Sequence, residues 1–284
     1  IYYSYQANHS KDCVDCALTY HSELCYECIY GFKLYSSGWT SHCRNSSNLY
    51  FCQDCQSCDN CIGCVNLKNK KFHIFNKPAD KTTYEKYAAL LTKTSEVAKL
   101  AKRFEEHRKQ FPVRENHNIN CENVTGDYLM NSKNCRECFE AENLEDCAYV
   151  SVLPGGAKDC MDTNYSPKSE LLYEVMSGTN GYNCQFVLHS WDCRNSQYID
   201  ECQFSSNLFG CIGLNHKNYC ILNKQYTKEE YEDLKARIIE HMKKTGEWGE
   251  FFPASISPWG YNETVANEYF PLEKEEAKKQ KFTW

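Results

Sequence analysis

The stretch "CQDCQSCDNCIGC", Cys52 to Cys64, places a cysteine at every third position five times in a row. The same spacing extends in both directions, because every third residue from Ser4 to Leu67 is Cys, Ser, Thr, Ala, Gly or Leu. These six residue types make up roughly two-fifths of ordinary sequence, so a run of this length does not arise by chance. The threefold repeat, rather than the local motif, therefore decides the fold.

The repeat returns in the second half of the chain. It runs from Gly126 to Gly156 and, after one extra residue near "PGGAKD", continues from Cys160 to Leu214 with small residues or Leu, Ile and Val. Nineteen of the twenty cysteines lie in this register, and Cys121 is the exception.

A ninefold spacing is superimposed on the threefold one. A helix of 3.6 residues per turn and an alternating strand give neither spacing, and 13 Gly with 7 Pro exclude collagen. The pattern predicts a mainly β fold, a narrow parallel β-solenoid with nine-residue coils and three-residue sides; coils of eighteen residues remain an alternative. Cysteines nine residues apart include Cys16 and Cys25; Cys43, Cys52 and Cys61; and Cys184, Cys193, Cys202, Cys211 and Cys220.

Two tandem lobes follow from an internal match. "GCVNLKNKKFHIFNKP" from Gly63 corresponds to "GCIGLNHKNYCILNKQ" from Gly210, and Lys70 and Lys217 break the small-residue register as polar end caps. A helix follows each cap; the second opens with a capping box of Thr227 and Glu230, and the first has a break near residues 94–95. The predicted domains are a first solenoid with cap (1–77), a helical connector (78–116), a second solenoid with cap (117–224), and a helix with C-terminal extension (225–284).

Composition narrows the function classes. A net charge of −6 and a pI near 5.9 lack the basic excess of a nucleic-acid binder, so nucleic acid is an unlikely partner for this chain. No apolar run reaches the roughly 18 residues of a membrane helix, and the first residues lack a signal-peptide pattern. We therefore expect a cytoplasmic protein with no membrane partner. Glycine motifs typical of nucleotide binding do not occur.

Several blocks resemble a known family. "NLKNKKFHIFNK", "ILNKQYTKEEYEDL", "KTGEWGEFFP" and "SPWGYNETVANEYFPLEKEEA", together with the Cys-x-x runs, are similar to cysteine-rich (Cys-x-x)n repeat proteins of candidate-phyla bacteria and large phages. The resemblance implies this architecture, a reducing setting and no catalytic residues. It also implies a Cys in place of His73 and a basic zinc-ribbon segment that does not follow Trp284, which leaves a nucleic-acid association through such segments as a further alternative.

The thiols have three interpretations. Free Cys is often buried as a small apolar residue, so the first is a purely structural core. The second is a Zn²⁺ or Cu(I) thiolate site, because thiolates converging on one axis suit tetrahedral or trigonal coordination; the third is disulfides between cysteines nine residues apart. The predicted metal ligands are Cys52, Cys55, Cys58, Cys61, Cys64 and His73, with weaker candidates Cys16, Cys25, Cys28, Cys43, Cys193, Cys202, Cys211 and Cys220.

The function that the sequence favours is a structural or interaction module without catalysis. A Cys64–His73 nucleophile pair is disfavoured because both positions point into the solenoid, away from an exposed electropositive pocket. A metal-binding or thiol-buffering protein is the alternative. We expect a protein partner to bind outward-facing aromatic residues of the first lobe: Tyr20, Tyr26, Tyr30, Phe32, Tyr35, Trp39, Tyr50 and Phe51.

Overall fold

Two compact units, Ile1–Arg114 and Glu115–Trp284, make up the chain in the computed structural model, which describes all 284 residues. Each unit contains a sheet of short parallel strands that winds into a narrow solenoid, and helix follows the solenoid in each. The predicted mainly β solenoid fold is therefore confirmed.

The first unit begins with isolated parallel bridges and continues with regular strands. Its strands are β1 (Glu23–Ile29), β2 (Phe32–Ser41), β3 (Arg44–Gln53), β4 (Asp59–Ile62), β5 (Lys71–Ile74) and β6 (Lys77–Pro78). Two helices, α1 (Lys81–Ala88) and α2 (Thr94–Arg108), follow with a 3₁₀ turn at Ala89–Thr92 between them. The interruption of this helix lies within two residues of the predicted position.

The second unit has a longer solenoid. Its strands are β7 (Glu122–Met130), β8 (Lys133–Glu142), β9 (Leu144–Glu145), β10 (Ala148–Leu153), β11 (Ala157–Lys158), β12 (Met161–Asn164), β13 (Ser169–Met176), β14 (Tyr182–Leu188), β15 (Gln197–Asp200), β16 (Ser206–Ile212), β17 (Asn218–Ile221) and β18 (Lys224–Gln225). Its helices are α3 (Lys228–Thr245), α4 (Ala266–Tyr269) and α5 (Lys274–Lys279), with 3₁₀ turns at Ala254–Ile256 and Tyr261–Glu263.

The coil length differs from the prediction. Parallel partners in the first unit are twelve residues apart, as Glu23 opposite Tyr35 and Cys61 opposite His73 show. A coil therefore has four walls of three residues, and the nine-residue, three-walled coil is wrong. The three-residue side itself is correct, because every third residue forms a corner.

The corners explain the three-residue side. Nearly every third residue from Tyr3 to Asn69 has a φ close to +50°, the left-handed region, and turns the chain into the next wall. The residue after each corner points inward, as Cys13 does after Asp12. Non-glycine residues enter this region at a cost of roughly 1–2 kcal/mol each, with Asn and Asp the most tolerant. Stability must therefore come from contacts that the corners make possible.

One such contact is a hydrogen-bond set that inward hydroxyls make. The Ser169 hydroxyl donates to the carbonyls of Pro167 at 3.2 Å and Gly178 at 2.9 Å, and it accepts the Gly181 amide at 3.0 Å. These partners lie two residues before, nine residues after and twelve residues after the serine. An inward serine thus links its own coil to two neighbouring walls of the coil above it.

The cysteines repeat this set. The Cys193 thiol donates to the Trp191 carbonyl at 3.5 Å and the Cys202 carbonyl at 3.4 Å, and the Ser205 amide donates to its sulfur. All twenty thiols donate to the carbonyl two residues earlier. The narrow core therefore accepts Cys and Ser at equivalent positions because both satisfy inward-facing backbone groups.

Two adjustments keep the second solenoid in register. The first coil is one residue short, and the pairing shifts between Val124 and Gly126, where a Cβ would lie only 1.8 Å from the Cys138 carbonyl oxygen. This shift turns Cys121 inward, so the one cysteine outside the sequence register also packs against the core. The extra residue near Gly155 appears as a thirteen-residue offset between β10 and β12.

Both solenoids end in the same way, 147 residues apart. An antiparallel hairpin closes each, formed by β5 with β6 and by β17 with β18. Asn76, in the left-handed region, accepts the Val65 amide and donates to the Val65 carbonyl, both at 2.8 Å. Asn223 makes the same pair of bonds with Ile212, both at 2.9 Å. The Lys70 and Lys217 side chains, which occupy inward-register positions just before β5 and β17, are exposed.

The helices cover one outer face of each solenoid. In the first unit, Phe51 packs with Leu100 and Phe104 of α2. In the second, Phe209 and Ile221 pack with Tyr231 of α3. The predicted capping box at the start of α3 is confirmed by reciprocal hydrogen bonds between residues 227 and 230.

Candidate functional sites: a cysteine core and an aromatic groove

The predicted metal-binding cysteines lie in one complete coil. Cys52, Cys55, Cys58 and Cys61 each come from a different wall, and Cys64 begins the next coil above Cys52. All five are at most 2% exposed. This is the most cysteine-rich coil of the first solenoid, and its thiols face one narrow axis.

Hydrogen bonds between the thiols change their acidity. Side-chain hydrogen bonding with Cys43, Cys52 and Cys58 lowers the pKa of Cys55. The Cys52 and Cys61 thiols likewise lower the pKa of Cys64, to about 4. Burial raises the pKa of Cys43 and Cys52. Each of these thiols also donates to backbone carbonyls, as that of Cys55 does to Gln53 at 3.4 Å and to Cys64 at 3.5 Å.

His73 has a different neighbour from the predicted one. It lies above Cys61, not in line with Cys55 and Cys64, because the coil has twelve residues. Its ring Nδ1 is 2.8 Å from the Lys71 carbonyl oxygen, and the Cys64 thiol donates to the His73 backbone carbonyl at 3.4 Å. The Cys64 thiol therefore bonds the backbone of His73, while the ring nitrogen is engaged elsewhere.

Cysteines nine residues apart do not stack directly. Each lies on a neighbouring wall of the next coil, where its carbonyl accepts a hydrogen bond from the earlier thiol, as from Cys202 to Cys211 at 3.6 Å. The proposed disulfide columns Cys43, Cys52, Cys61 and Cys193, Cys202, Cys211 are therefore diagonals, and all twenty cysteines are free thiols.

The weaker ligand candidates are distributed along both cores. In the first, Cys16 lies directly below Cys28, whose thiol is hydrogen-bonded to it. In the second, burial raises the pKa of Cys193 to about 12 and also raises those of Cys202 and Cys211. Cys25 and Cys43 belong to the first core and Cys220 to the second. Each coil along these parts of the axis contains one or two of these thiols.

A second candidate site lies on the outside of the first unit, and three of the predicted outward aromatics, Tyr26, Trp39 and Tyr50, line it. An open groove of about 530 Å³ separates the solenoid wall at β2 and β3 from α1 and the 3₁₀ turn after it. We call it the aromatic groove. Its lining is Leu24, Tyr26, Ser36, Ser37, Gly38, Trp39, Asn48, Tyr50, Asn60, Tyr84, Ala88, Leu91 and Thr92.

Ring contacts fix the aromatic side chains of the groove. Trp39 stacks on Phe51 of the next coil with 4.8 Å between ring centroids, and Tyr26 meets Trp39 edge to face at 5.4 Å. Tyr84 of α1 donates its hydroxyl to the Asn48 carbonyl at 3.1 Å, which ties the helix to the solenoid. Of the eight predicted outward aromatics, Phe51 is buried, whereas Tyr26 is 40% exposed.

Gly38 keeps the groove open. A Cβ at this position would lie 3.5 Å from the Tyr26 carbonyl oxygen and 3.5 Å from the Tyr50 ring, so the backbone tolerates a side chain there. In the second unit, the residue 147 positions later is Gln185, and the counterpart of Tyr50 is the buried Gln197. The two units therefore differ at both of these positions.

Comparisons with known proteins add no function. No protein-family model matches the chain, and no curated protein matches it either. A UDP-N-acetylglucosamine O-acyltransferase from Moraxella catarrhalis is 12% identical over 86% of this chain and 94% of that chain, with a TM-score of 0.16. A protein described as an acetyltransferase from Desulfovibrio desulfuricans is 9% identical over 86% of this chain and 67% of that chain, with a TM-score of 0.13. No helix combines the length and apolarity needed to span a membrane.

Proposed function

We propose that the protein is a non-catalytic interaction module whose binding surface is the aromatic groove of the first unit. The observation that carries this proposal is the groove itself, about 530 Å³ in volume and lined by four aromatic rings. That size lies within the roughly 300–1,000 Å³ of ligand sites, which combine aromatic walls with a few polar groups. The solenoid supplies a rigid wall, because each ring rests on the coil below.

The absence of catalysis is part of the proposal. The thiols point into the axis and donate to backbone carbonyls, and burial raises the pKa of Cys184 to about 11. A nucleophilic thiol instead requires an exposed, electropositive position. We place the protein in the reducing cytoplasm, a compartment in which twenty free thiols persist.

The test compares the unmodified protein with Gly38→Gln, which introduces the second unit's residue into the groove. Both are screened by thermal shift against neutral oligosaccharides, proline-rich peptides and quaternary ammonium compounds. At least one class should stabilise the unmodified protein and not the variant. If no class binds, or if every binder acts equally on Gly38→Gln, the groove is not the binding surface.

A thiolate metal site is a second candidate function. The lowered pKa values of Cys55 and Cys64, within a coil that carries a thiol on every wall, support it. Cys52, Cys55, Cys58 and Cys61 would hold Zn²⁺ or Cu(I). Elemental analysis of protein purified without chelator should then find about one equivalent of metal per chain, lost in Cys55→Ser but kept in Cys193→Ser. Metal-free protein that gives no thiolate absorbance with Cd²⁺ would reject this candidate.

A further inference from the structure

The lining of the aromatic groove carries no formal charge. Its polar residues are hydroxyls and amides, and no Lys, Arg, Asp or Glu side chain contributes to it. Two carboxylates contact lining side chains from outside the groove: Glu27 accepts a hydrogen bond from the Tyr26 hydroxyl and raises the pKa of that tyrosine, and Asp59 accepts from Asn48 and Asn60. Phosphates and acidic peptides require cationic partners, so this lining disfavours an anionic ligand.

The two asparagines of the groove present acceptors. Asn60 Nδ2 donates to Asp59 Oδ2 at 2.8 Å, and Asn48 Nδ2 donates to Asp59 Oδ1 at 3.5 Å. A carboxylate only accepts, so the amide nitrogens must face it and the Oδ1 atoms must face away. The Asp59 side chain is held in turn by Ser47 at 2.7 Å and Lys71 at 3.5 Å. The Oδ1 atoms of both asparagines are thus the acceptors that these two lining residues can offer to a ligand that donates hydrogen bonds.

This hydrogen-bond polarity separates two kinds of extended ligand. Proline-rich peptides dock in aromatic grooves, but proline lacks the backbone N–H, so such a peptide mainly offers carbonyl acceptors and needs donors from the protein. A sugar chain offers many hydroxyls, each of which donates and accepts. Hydroxyls of Ser36 and Tyr50, 3.4 Å apart at the wall, can serve either direction.

The aromatic rings suit the apolar faces of sugars. An aromatic ring is negative over its face, so it attracts the slightly positive C–H groups that line one side of a sugar ring. A quaternary ammonium ion would need a cage of separated rings. Tyr26 and Trp39 instead contact each other at 5.4 Å between centroids and leave no room for a cation between them.

From these observations we infer that the aromatic groove binds an uncharged sugar chain. Tyr50 stacks on a sugar ring, and the Oδ1 atoms of Asn48 and Asn60 accept hydrogen bonds from sugar hydroxyls. The inference rests on the proposed function, since it names the ligand class of the same groove. Because the groove is open, the chain can extend beyond it at both ends.

The experiment is calorimetric titration of the full chain with gluco-, manno-, galacto-, xylo- and chito-hexasaccharides, beside a proline-rich dodecapeptide. At least one hexasaccharide should bind. Tyr50→Ala and Gly38→Gln should each weaken that binding by about tenfold or more, the size expected for losing a central aromatic contact. Tyr173→Ala, which removes the counterpart of Tyr26 in the second unit, should leave the affinity unchanged.

The outcomes separate the two proposals. Binding of the peptide, lost in Gly38→Gln, with no hexasaccharide bound would overturn the sugar inference and keep the groove as the binding surface. Sugar binding that survives both groove variants would overturn the inference as well, since the site would lie elsewhere. Circular dichroism and thermal unfolding of each variant exclude misfolding, and Asn60→Asp, which adds a charge without removing volume, should also weaken binding.

Discussion

The asparagine that closes each solenoid gives a stability prediction with an internal control. In Asn76→Ala, the two hydrogen bonds to Val65 are lost at about 0.5–1.5 kcal/mol each. The φ of Asn76 is 62°, and a non-glycine residue without the Asn side chain adds roughly 1 kcal/mol of strain there. We therefore expect the free energy of unfolding to fall by about 2–4 kcal/mol. Asn76→Gly removes the bonds without the strain and should cost about 1–3 kcal/mol.

Hydrogen exchange measured by mass spectrometry is the assay, because it reports each unit separately. Peptides from β3 and β4 should lose roughly 30- to 700-fold in protection against exchange in Asn76→Ala, since every 1.4 kcal/mol is tenfold. Asn223→Ala should have a smaller effect in its own unit, because its hydrogen bonds are exposed. A loss below about 0.5 kcal/mol for Asn76→Ala, or equal losses for Ala and Gly, would refute the capping role.

Three further predictions concern buried groups. Tyr84→Phe should cost about 0.5–1.5 kcal/mol, whereas Tyr231→Phe should be neutral or stabilising because the buried hydroxyl has no partner; thermal unfolding checks both, and equal losses would contradict the difference. Cys202→Ala should lower the free energy of unfolding by about 2 kcal/mol and Cys202→Ser by less than about 1 kcal/mol, since serine keeps the carbonyl partners. A denaturant melt in which the serine variant is less stable than the alanine variant would contradict this prediction. Burial raises the pKa of Cys184 to about 11 and that of Cys193 to about 12. Their contribution to the free energy of unfolding is therefore complete below the pKa of an unfolded thiol, near 9, and is lost as pH rises from 9 to 12. Unfolding midpoints that stay constant across that pH range would disprove it.

The sequence contained enough information for the fold but not for the coil length. The threefold register marks inward positions directly, because the axis admits only compact side chains. The ninefold spacing instead reports a diagonal contact, in which a thiol such as that of Cys43 bonds the carbonyl of Cys52 on a neighbouring wall. The sequence did contain a signal for the corners, since Asp or Asn repeatedly precedes an inward Cys, as in Asp54–Cys55. Whether the corners close three or four walls is decided by backbone angles that side-chain spacing does not encode.

The sequence predicted more of the thiol coil than of the aromatic groove. Inward cysteines follow from the register, so the thiol coil could be located, although which sulfurs lie above one another depended on the coil length. For the aromatic groove, the register predicted that Tyr26, Trp39 and Tyr50 face outward. The groove itself could not be predicted, because its opposite walls come from β2, β3 and α1, and sequence spacing does not show where a helix packs on the solenoid.

The two units separate the requirements of the fold from those of binding. Inward positions are filled by residues that satisfy backbone groups, and Cys and Ser interchange there without altering the coil. Outward side chains do not have to satisfy backbone groups of the axis, so residues as different as Tyr50 and Gln197 occupy equivalent positions in the two units. A change at these positions alters the surface and leaves the hydrogen-bonded axis intact. The duplicated solenoid can thus keep one unit as a scaffold while the other acquires a groove, and differences between equivalent outward residues identify where binding is to be sought.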